Sequence, residues 1–235
     1  MLASCTPPPP AGPIILAPAS LQTVLDDLAR RWTRDGRAVP VISYSATATA
    51  ARQVGEGAPA DIVLTADVRW MGWLAERGLL AGPPRDLARG RLVVVAPADT
   101  PTPSSLAAFL AGGDARLAIG DPDQSPAGAY AREALRASGQ LALAEDRIVR
   151  SENVRAALAL VERGEAGLGI VYASDAVASR RVSMIEPIDA SLHQPILFQA
   201  AIVQHSGHPD AGEFLAYLLS PAAADSLVQY GFDAP

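Results

Sequence analysis

The sequence predicts an α/β fold of two lobes, each a mostly parallel sheet flanked by helices, with a ligand cleft between the lobes. Short apolar runs, typical of buried parallel strands, alternate with stretches whose apolar residues recur at helical spacing. Such alternation favours parallel sheets with right-handed crossovers. The Pro/Gly-rich stretch at 82–84 interrupts the alternation, which then resumes, so we place the passage between the lobes there.

Three strand–helix pairs are predicted before this break. An apolar run at 13–17 forms the first strand, and Ser20 is placed to cap a helix that extends to about Thr33. Two further strands follow at 38–44 and 60–64. Each leads into a helix, at 47–55 and from about Val68 to Leu74.

After the break, strands are predicted at 91–96 and 116–120, and Pro126 opens a helix at 126–137 because proline suits a first helical position. The stretch 151–178 then predicts a loop, a helix starting near Val154 and a buried strand at 168–172. The last elements are strands at 182–185 and 196–203 and helices at 209–219 and 221–230.

These elements predict a discontinuous first lobe of residues 13–88 plus 197–235, a second lobe of 89–196 and a tail of 1–12. The tail contains Cys5, preceded by Leu-Ala-Ser in a pattern that resembles the lipobox of bacterial lipoproteins. Pro7 to Pro10 would then form a stiff extended spacer. The charged start and apolar stretch that usually precede a lipobox are absent here, so a lipid anchor and a tail without function both stay open.

Composition excludes several classes of function. The formal net charge of −6 and a pI near 5.0 leave no basic stripe for nucleic acid. No apolar run approaches the ~20 residues that a membrane span needs. A single cysteine excludes a disulfide or a thiolate metal cluster within the chain.

Four strand-to-helix junctions would present amide donors at one sheet edge: residues 17–20, 45–49, 120–128 and 151–154. Ligands of open α/β sheets bind at this carboxyl edge, where the hydroxyl of Tyr172 also lies. A serine, threonine or asparagine at a helix start is usually an ordinary cap. Four such junctions together with a tyrosine indicate an anion held by neutral donors.

A site made of hydrogen-bond donors limits which anions can bind. A fully ionised tetrahedral oxyanion such as sulfate, molybdate or tungstate has only acceptors, whereas phosphate near neutral pH also carries a proton and favours a nearby carboxylate. Asp121 and Asp123 lie near the third junction, so phosphate stays open, although an aspartate before proline commonly closes a turn.

Six stretches then carry a resemblance to a known family: APASLQ from Ala17, ARQVGEGAPADIVLTAD from Ala51, LVVVAP from Leu92, LAIGDPDQSPAGAYAREAL from Leu117, VRAALALVERGEAGLGIVYASDAVAS from Val154 and QYGF from Gln229. In these stretches the chain resembles the periplasmic molybdate-binding proteins of bacterial ABC transporters, which belong to the type II periplasmic binding proteins. The resemblance extends from Ile14 to Phe232.

The resemblance implies a monomeric periplasmic carrier, not an enzyme, whose two lobes close around one oxyanion without a metal counter-ion or cofactor. It would bind molybdate, and tungstate too, and deliver it to the permease in the inner membrane. The implied ligands are the hydroxyl and amide of Ser20, the hydroxyl residue Thr47, the amides of Ala127 and Val154, and the hydroxyl of Tyr172.

Four positions in two loops depart from the family pattern. Thr47 stands where serine is common, and its added methyl group stiffens the side chain; Ala46 and Ala48 also replace serines. Pro18, where alanine is usual, removes one possible amide donor. The sequence therefore leaves open how the protein ranks molybdate against tungstate.

Other functions are also consistent with parts of this pattern. A carrier for sulfate or phosphate, an enzyme acting on a phosphorylated substrate and a sensor domain of a regulator remain alternatives. A ferric ion carrier would need adjacent tyrosines and acidic ligands. His193, His205 and His208 are expected in loops, and Trp70 and Trp73 are expected to pack as a pair.

Overall fold

The computed structural model describes residues 11–101 and 103–235, so Cys5 and its proline spacer lie outside the described residues. The strands are β1 (Ala11–Pro18), β2 (Val39–Ser45), β3 (Ile62–Thr65), β4 (Arg85–Arg89), β5 (Leu92–Pro97), β6 (Leu117–Gly120), β7 (Ile148–Ser151), β8 (Leu168–Tyr172), β9 (Val182–Pro187) and β10 (Leu197–Ile202). The helices are α1 (Gln22–Arg34), α2 (Thr47–Gly55), α3 (Val68–Glu76), α4 (Leu106–Ala111), α5 (Pro126–Ala137), α6 (Leu141–Ala144), α7 (Val154–Glu162), α8 (Ala173–Val177), α9 (Ala211–Leu218) and α10 (Pro221–Gln229).

The strands form two five-stranded sheets with the same pattern of directions. The first sheet has the order β2-β1-β3-β10-β4 and the second the order β7-β6-β8-β5-β9. In each sheet the first three strands are parallel, the fourth is antiparallel to its neighbours, and the fifth returns to the common direction. The prediction of two lobes with mostly parallel sheets is therefore confirmed. We call the part built on the first sheet the first lobe and the other part the second lobe.

Helices cover both sheets through the apolar positions that their sequences supply. On α1, Leu25, Leu28 and Trp32 are buried at helical spacing, and the Trp32 ring meets Phe214 of α9 edge to face at 5.1 Å. In the second lobe α7 packs on β8 at Gly169, where an added Cβ would lie 2.8 Å from Val161. No helix in the described ranges is long and apolar enough to cross a membrane.

The Pro/Gly-rich stretch at 82–84 is not the passage between the lobes. The Pro/Gly-rich stretch at 82–84 is followed by β4, which still pairs with β10 in the first sheet, so the passage lies between Arg89 and Leu92. The return passage runs beside it, because the amide of Gly90 donates to the carbonyl of Ile196 at 3.0 Å. The turn at 82–84 was mistaken for the passage because β4 is a charged edge strand with little apolar signal.

The predicted capping role of Ser20 is wrong. Residues Ala19–Leu21 form a 3-10 turn, and α1 begins only at Gln22, with Leu21 before it and no side-chain cap. A capping side chain needs an extended backbone just before the helix. Ser20 lies inside the turn instead, which leaves its hydroxyl available for another partner.

Candidate functional site

A small cavity of about 200 Å³, open solvent at its mouth included, lies between the two lobes. It is lined where six strands end, three from each sheet, because parallel strands bring their carboxyl ends to one edge. All twelve lining residues are uncharged. They are Pro18, Ala19 and Ser20 at β1, Ser45, Ala46 and Thr47 at β2, Ala66 after β3, Ser125 and Pro126 after β6, Asn153 and Val154 after β7, and Tyr172 at β8.

The structure brings the predicted ligand residues together. Ser20 and Thr47 line the cavity from the first lobe, and Val154 and Tyr172 line it from the second. Ala127, the remaining predicted ligand, is the second residue of α5 and directly follows Pro126 at the cavity wall.

Two of the hydroxyl groups that line the cavity, one from each lobe, are buried and have no partner among the described residues: Ser20 Oγ and Tyr172 Oη. Ser174 Oγ is also buried without a partner, but it does not line the cavity. A buried polar group left unpaired costs about 1–3 kcal/mol, so such a pair needs an explanation. Burial raises the pKa of the Tyr172 phenol well above its usual value of 10, and the nearby Tyr130, Asp67 and Asp175 raise it further. Tyr172 therefore stays protonated and can donate a hydrogen bond.

Thr47 is oriented by a backbone contact that the sequence did not reveal. Its Oγ1 accepts a hydrogen bond from the amide of Ala66 at 3.3 Å, which leaves its own hydroxyl hydrogen free for the cavity. Ala66 follows β3, a strand end that we did not identify as part of the site. The only sequence signal was its position beyond a third parallel strand.

Helix starts add backbone donors to these hydroxyls. Val154 is the first residue of α7, and the side chain of Asn153 before it accepts from the amide of Ala156 at 3.0 Å. The cap thus occupies a later amide and not that of Val154. The first amides of a helix carry partial positive charge, which favours an anion.

Two ion pairs lie close in sequence to cavity residues. Arg155 Nε lies 2.7 Å from Asp175 Oδ1, and Arg69 Nη2 lies 3.1 Å from Asp67 Oδ2. Burial raises the pKa of Asp175 to about 6, an effect that the Arg155 guanidinium opposes, so this carboxyl is ionised at neutral pH. The anion site is therefore built from dipoles beside neutralised ion pairs.

Asp121 and Asp123, the carboxylates that left phosphate as a possible ligand, do not face the cavity. Asp121 Oδ1 accepts from the amide of Asp123 at 2.8 Å and closes the turn after β6. Neither side chain is among the residues that line the cavity. The cavity wall thus offers no carboxylate acceptor to a protonated anion.

The other candidate residues lie in local packing arrangements. His208 Nε2 lies 2.9 Å from the carbonyl of Ala11, and its Nδ1 accepts from the amide of Asp210 at 3.1 Å. Trp70 and Trp73 pack against each other with ring centres 5.7 Å apart. Within residues 11–101 and 103–235, no three histidine, cysteine, aspartate or glutamate side chains are placed to share a metal ion.

Comparisons with known proteins agree with this architecture. Residues 14–233 match the model of the family described as bacterial extracellular solute-binding protein. The chain is 37% identical to the molybdate-binding protein ModA of Escherichia coli, over 93% of this chain and 87% of that protein. It is 30% identical to the putative ABC transporter substrate-binding lipoprotein YvgL of Bacillus subtilis, over 94% and 85% respectively.

Among solved structures, the periplasmic molybdate-binding protein of Azotobacter vinelandii superposes with a TM-score of 0.83 at 26% identity, covering 94% of this chain and 99% of that one. The resemblance that the sequence motifs indicated is thus confirmed over nearly the whole chain. The chain belongs to the family of bacterial extracellular solute-binding proteins, which includes the molybdate-binding proteins.

Proposed function

We propose that this protein binds molybdate, and tungstate at the same site, and delivers it to the membrane permease of an ABC transporter. The observation that carries the proposal is the pair of buried, unpartnered hydroxyls, Ser20 Oγ and Tyr172 Oη, beside a cavity lined only by uncharged residues. A tetrahedral oxyanion with four acceptor oxygens would satisfy both hydroxyls at once. Relatives that bind molybdate by name support this choice of anion.

The donors are divided between the lobes. Ser20 and Thr47 would bind from the first lobe, and the amides of Ala127 and Val154 and the hydroxyl of Tyr172 from the second. An anion held this way bridges the lobes, which we take to be residues 13–88 plus 197–235 and 89–196. Closure would be a hinge motion at the paired passages.

The same donor set selects against phosphate. Near neutral pH, phosphate carries a proton that needs an acceptor, and no carboxylate lines the cavity. Molybdate and tungstate are fully ionised and need donors only. The departure at Thr47 adds a methyl group beside the anion and stiffens the side chain.

The family role indicates where and how the protein acts. We propose that it works by binding alone, as a monomer without a cofactor, in the periplasm. The Leu-Ala-Ser-Cys pattern and the Bacillus subtilis relative named a lipoprotein support lipid attachment through Cys5.

Tyr172→Phe tests the proposal. Because the phenol hydroxyl has no partner within residues 11–101 and 103–235, we expect the free energy of unfolding without anion to be unchanged or slightly higher. Molybdate binding should weaken by about 10- to 150-fold, the effect of losing one hydrogen bond to a charged group. Isothermal titration calorimetry and urea unfolding measure the two quantities.

Tyr217→Phe is the matched control. The Tyr217 hydroxyl donates to the carbonyl of Leu28 at 3.2 Å, away from the cavity. This variant should lose about 0.5–1.5 kcal/mol of unfolding free energy and keep its molybdate affinity. If Tyr172→Phe behaved like Tyr217→Phe, the phenol would not be an anion ligand.

A further inference from the structure

Arg155 forms a hydrogen bond between the lobes. Its Nη2 donates to Oγ1 of Thr23 at 3.0 Å, while its Nε lies 2.7 Å from Oδ1 of Asp175. Thr23 belongs to α1 of the first lobe, whereas Arg155 and Asp175 belong to α7 and α8 of the second. The guanidinium therefore forms an ion pair within the second lobe and a hydrogen bond to the first lobe.

Each of the three residues is close to a proposed ligand, either in sequence or through a hydrogen bond. Arg155 follows Val154 in α7, and Asp175 Oδ2 accepts from the amide of Tyr172 at 3.3 Å. Thr23 follows Ser20 by three residues at the start of α1. This contact, which we call the Arg155 clasp, thus connects neighbours of ligands from both lobes.

Resting on the function proposed above, we propose that Arg155 is a positioning residue that stabilises the closed form and sets the rate of anion release. Asp175 is fully buried, so it orients the guanidinium on the second lobe whether the cleft is open or closed. Of the two Arg155 contacts, opening then breaks only the one to Thr23. Arg155 has no role as an anion ligand in this account, since it does not line the cavity.

A second contact between the lobes limits the effect of losing the clasp. The amide of Ala48 donates to the carbonyl of Gln124 at 3.2 Å, and Arg52 Nη1 donates to the side-chain oxygen of Gln124 at 2.7 Å. These bonds lie beside Thr47 and Ser125 and remain when Thr23 is changed. The clasp should therefore alter the balance between open and closed forms without abolishing closure.

Thr23→Val tests the inference because it removes the hydroxyl acceptor and keeps the shape of the side chain. In a Cys5→Ser background, spin labels at the exposed positions Glu56 and Ala137 report the separation of the lobes. With saturating molybdate we expect one short distance in the parent protein and an added longer one in Thr23→Val. Stopped-flow measurements should show molybdate dissociation about three- to tenfold faster and an unchanged association rate.

Thr33→Val is the matched control, since Thr33 lies on the same helix and its hydroxyl donates to Ala29 within that helix at 2.9 Å. It should leave both the distances and the rates unchanged. Arg155→Lys should also speed release, and adding Thr23→Val to it should have no further effect because the two changes break one contact.

The inference is overturned if Thr23→Val shows the parent distances and dissociation rate, or if its effect adds fully to that of Arg155→Lys. Failure of the proposed function would look different: the parent protein would give no heat with molybdate. The same distance and rate measurements would then be made with whichever of sulfate or phosphate closes the lobes, and the same outcomes would decide the clasp.

Discussion

Val154→Pro should weaken molybdate binding by about 10- to 150-fold, whereas Val154→Ala should stay within about threefold of the parent protein. The reason is that Val154 is proposed to contribute its amide and not its side chain. Proline deletes that N–H. It is tolerated at the first position of a helix, which Val154 occupies in α7.

The local backbone can accept proline at position 154 without distortion of α7. Asn153, the residue before it, is extended with φ −148° and ψ 175°, which suits a position preceding proline. The cap from the Asn153 side chain to Ala156 is also kept. Calorimetry would measure binding, and circular dichroism would confirm that α7 is intact. Equal losses in the alanine and proline variants would rule out the amide as a ligand.

Gly128→Ala should both destabilise the protein by about 3 kcal/mol or more and abolish measurable binding. A Cβ at Gly128 would lie 1.8 Å from the carbonyl oxygen of Gly120 at the end of β6. Because both of these groups are backbone, the start of α5 would have to move away from the sheet. Pro126 at the cavity wall and the amide of Ala127 would move with it.

Gly72→Ala serves as the control for this effect. Gly72 lies inside α3, and an added Cβ there meets no atom within 4 Å. Alanine should therefore stabilise the helix by about 0.5–1 kcal/mol and leave binding unchanged. Urea unfolding and calorimetry on both variants give the comparison. A Gly128→Ala protein with normal affinity would show that the start of α5 is not part of the site.

The elements that were predicted correctly carry strong local signals. The helices at 47–55 and 126–137 and the strand at 168–172 have the bounds that the structure shows. Alanine-rich helical spacing and a fully buried apolar run depend little on the rest of the chain. The position of the cavity at the strand ends of both sheets followed from the parallel topology.

The elements that were missed depend on distant partners. We did not predict β4 and β7, which are each at one edge of their sheet. Three of the five residues of β4 are charged, and no residue of β7 is fully buried. The helices α4 and α6 were also missed, and both are short. Their formation depends on tertiary contacts that local propensity does not encode.

The site also combines features that local sequence predicts with features that depend on distant residues. The proposed ligand residues were named from their loops and the family resemblance, but the orientation of their side chains depends on the local turn and on contacts far apart in the chain. Ala66 directs the Thr47 hydroxyl, and the 3-10 turn releases that of Ser20. The Arg155 clasp joins residues of different lobes, so no spacing in the sequence could reveal it.

The most direct test of the whole account is a calorimetric titration of the anion-free protein with molybdate, tungstate, sulfate and phosphate at neutral pH. We predict one tight site per chain for molybdate and tungstate, and phosphate at least about 100-fold weaker because its proton would meet no carboxylate acceptor in the cavity. Tight binding of phosphate alone would contradict the account.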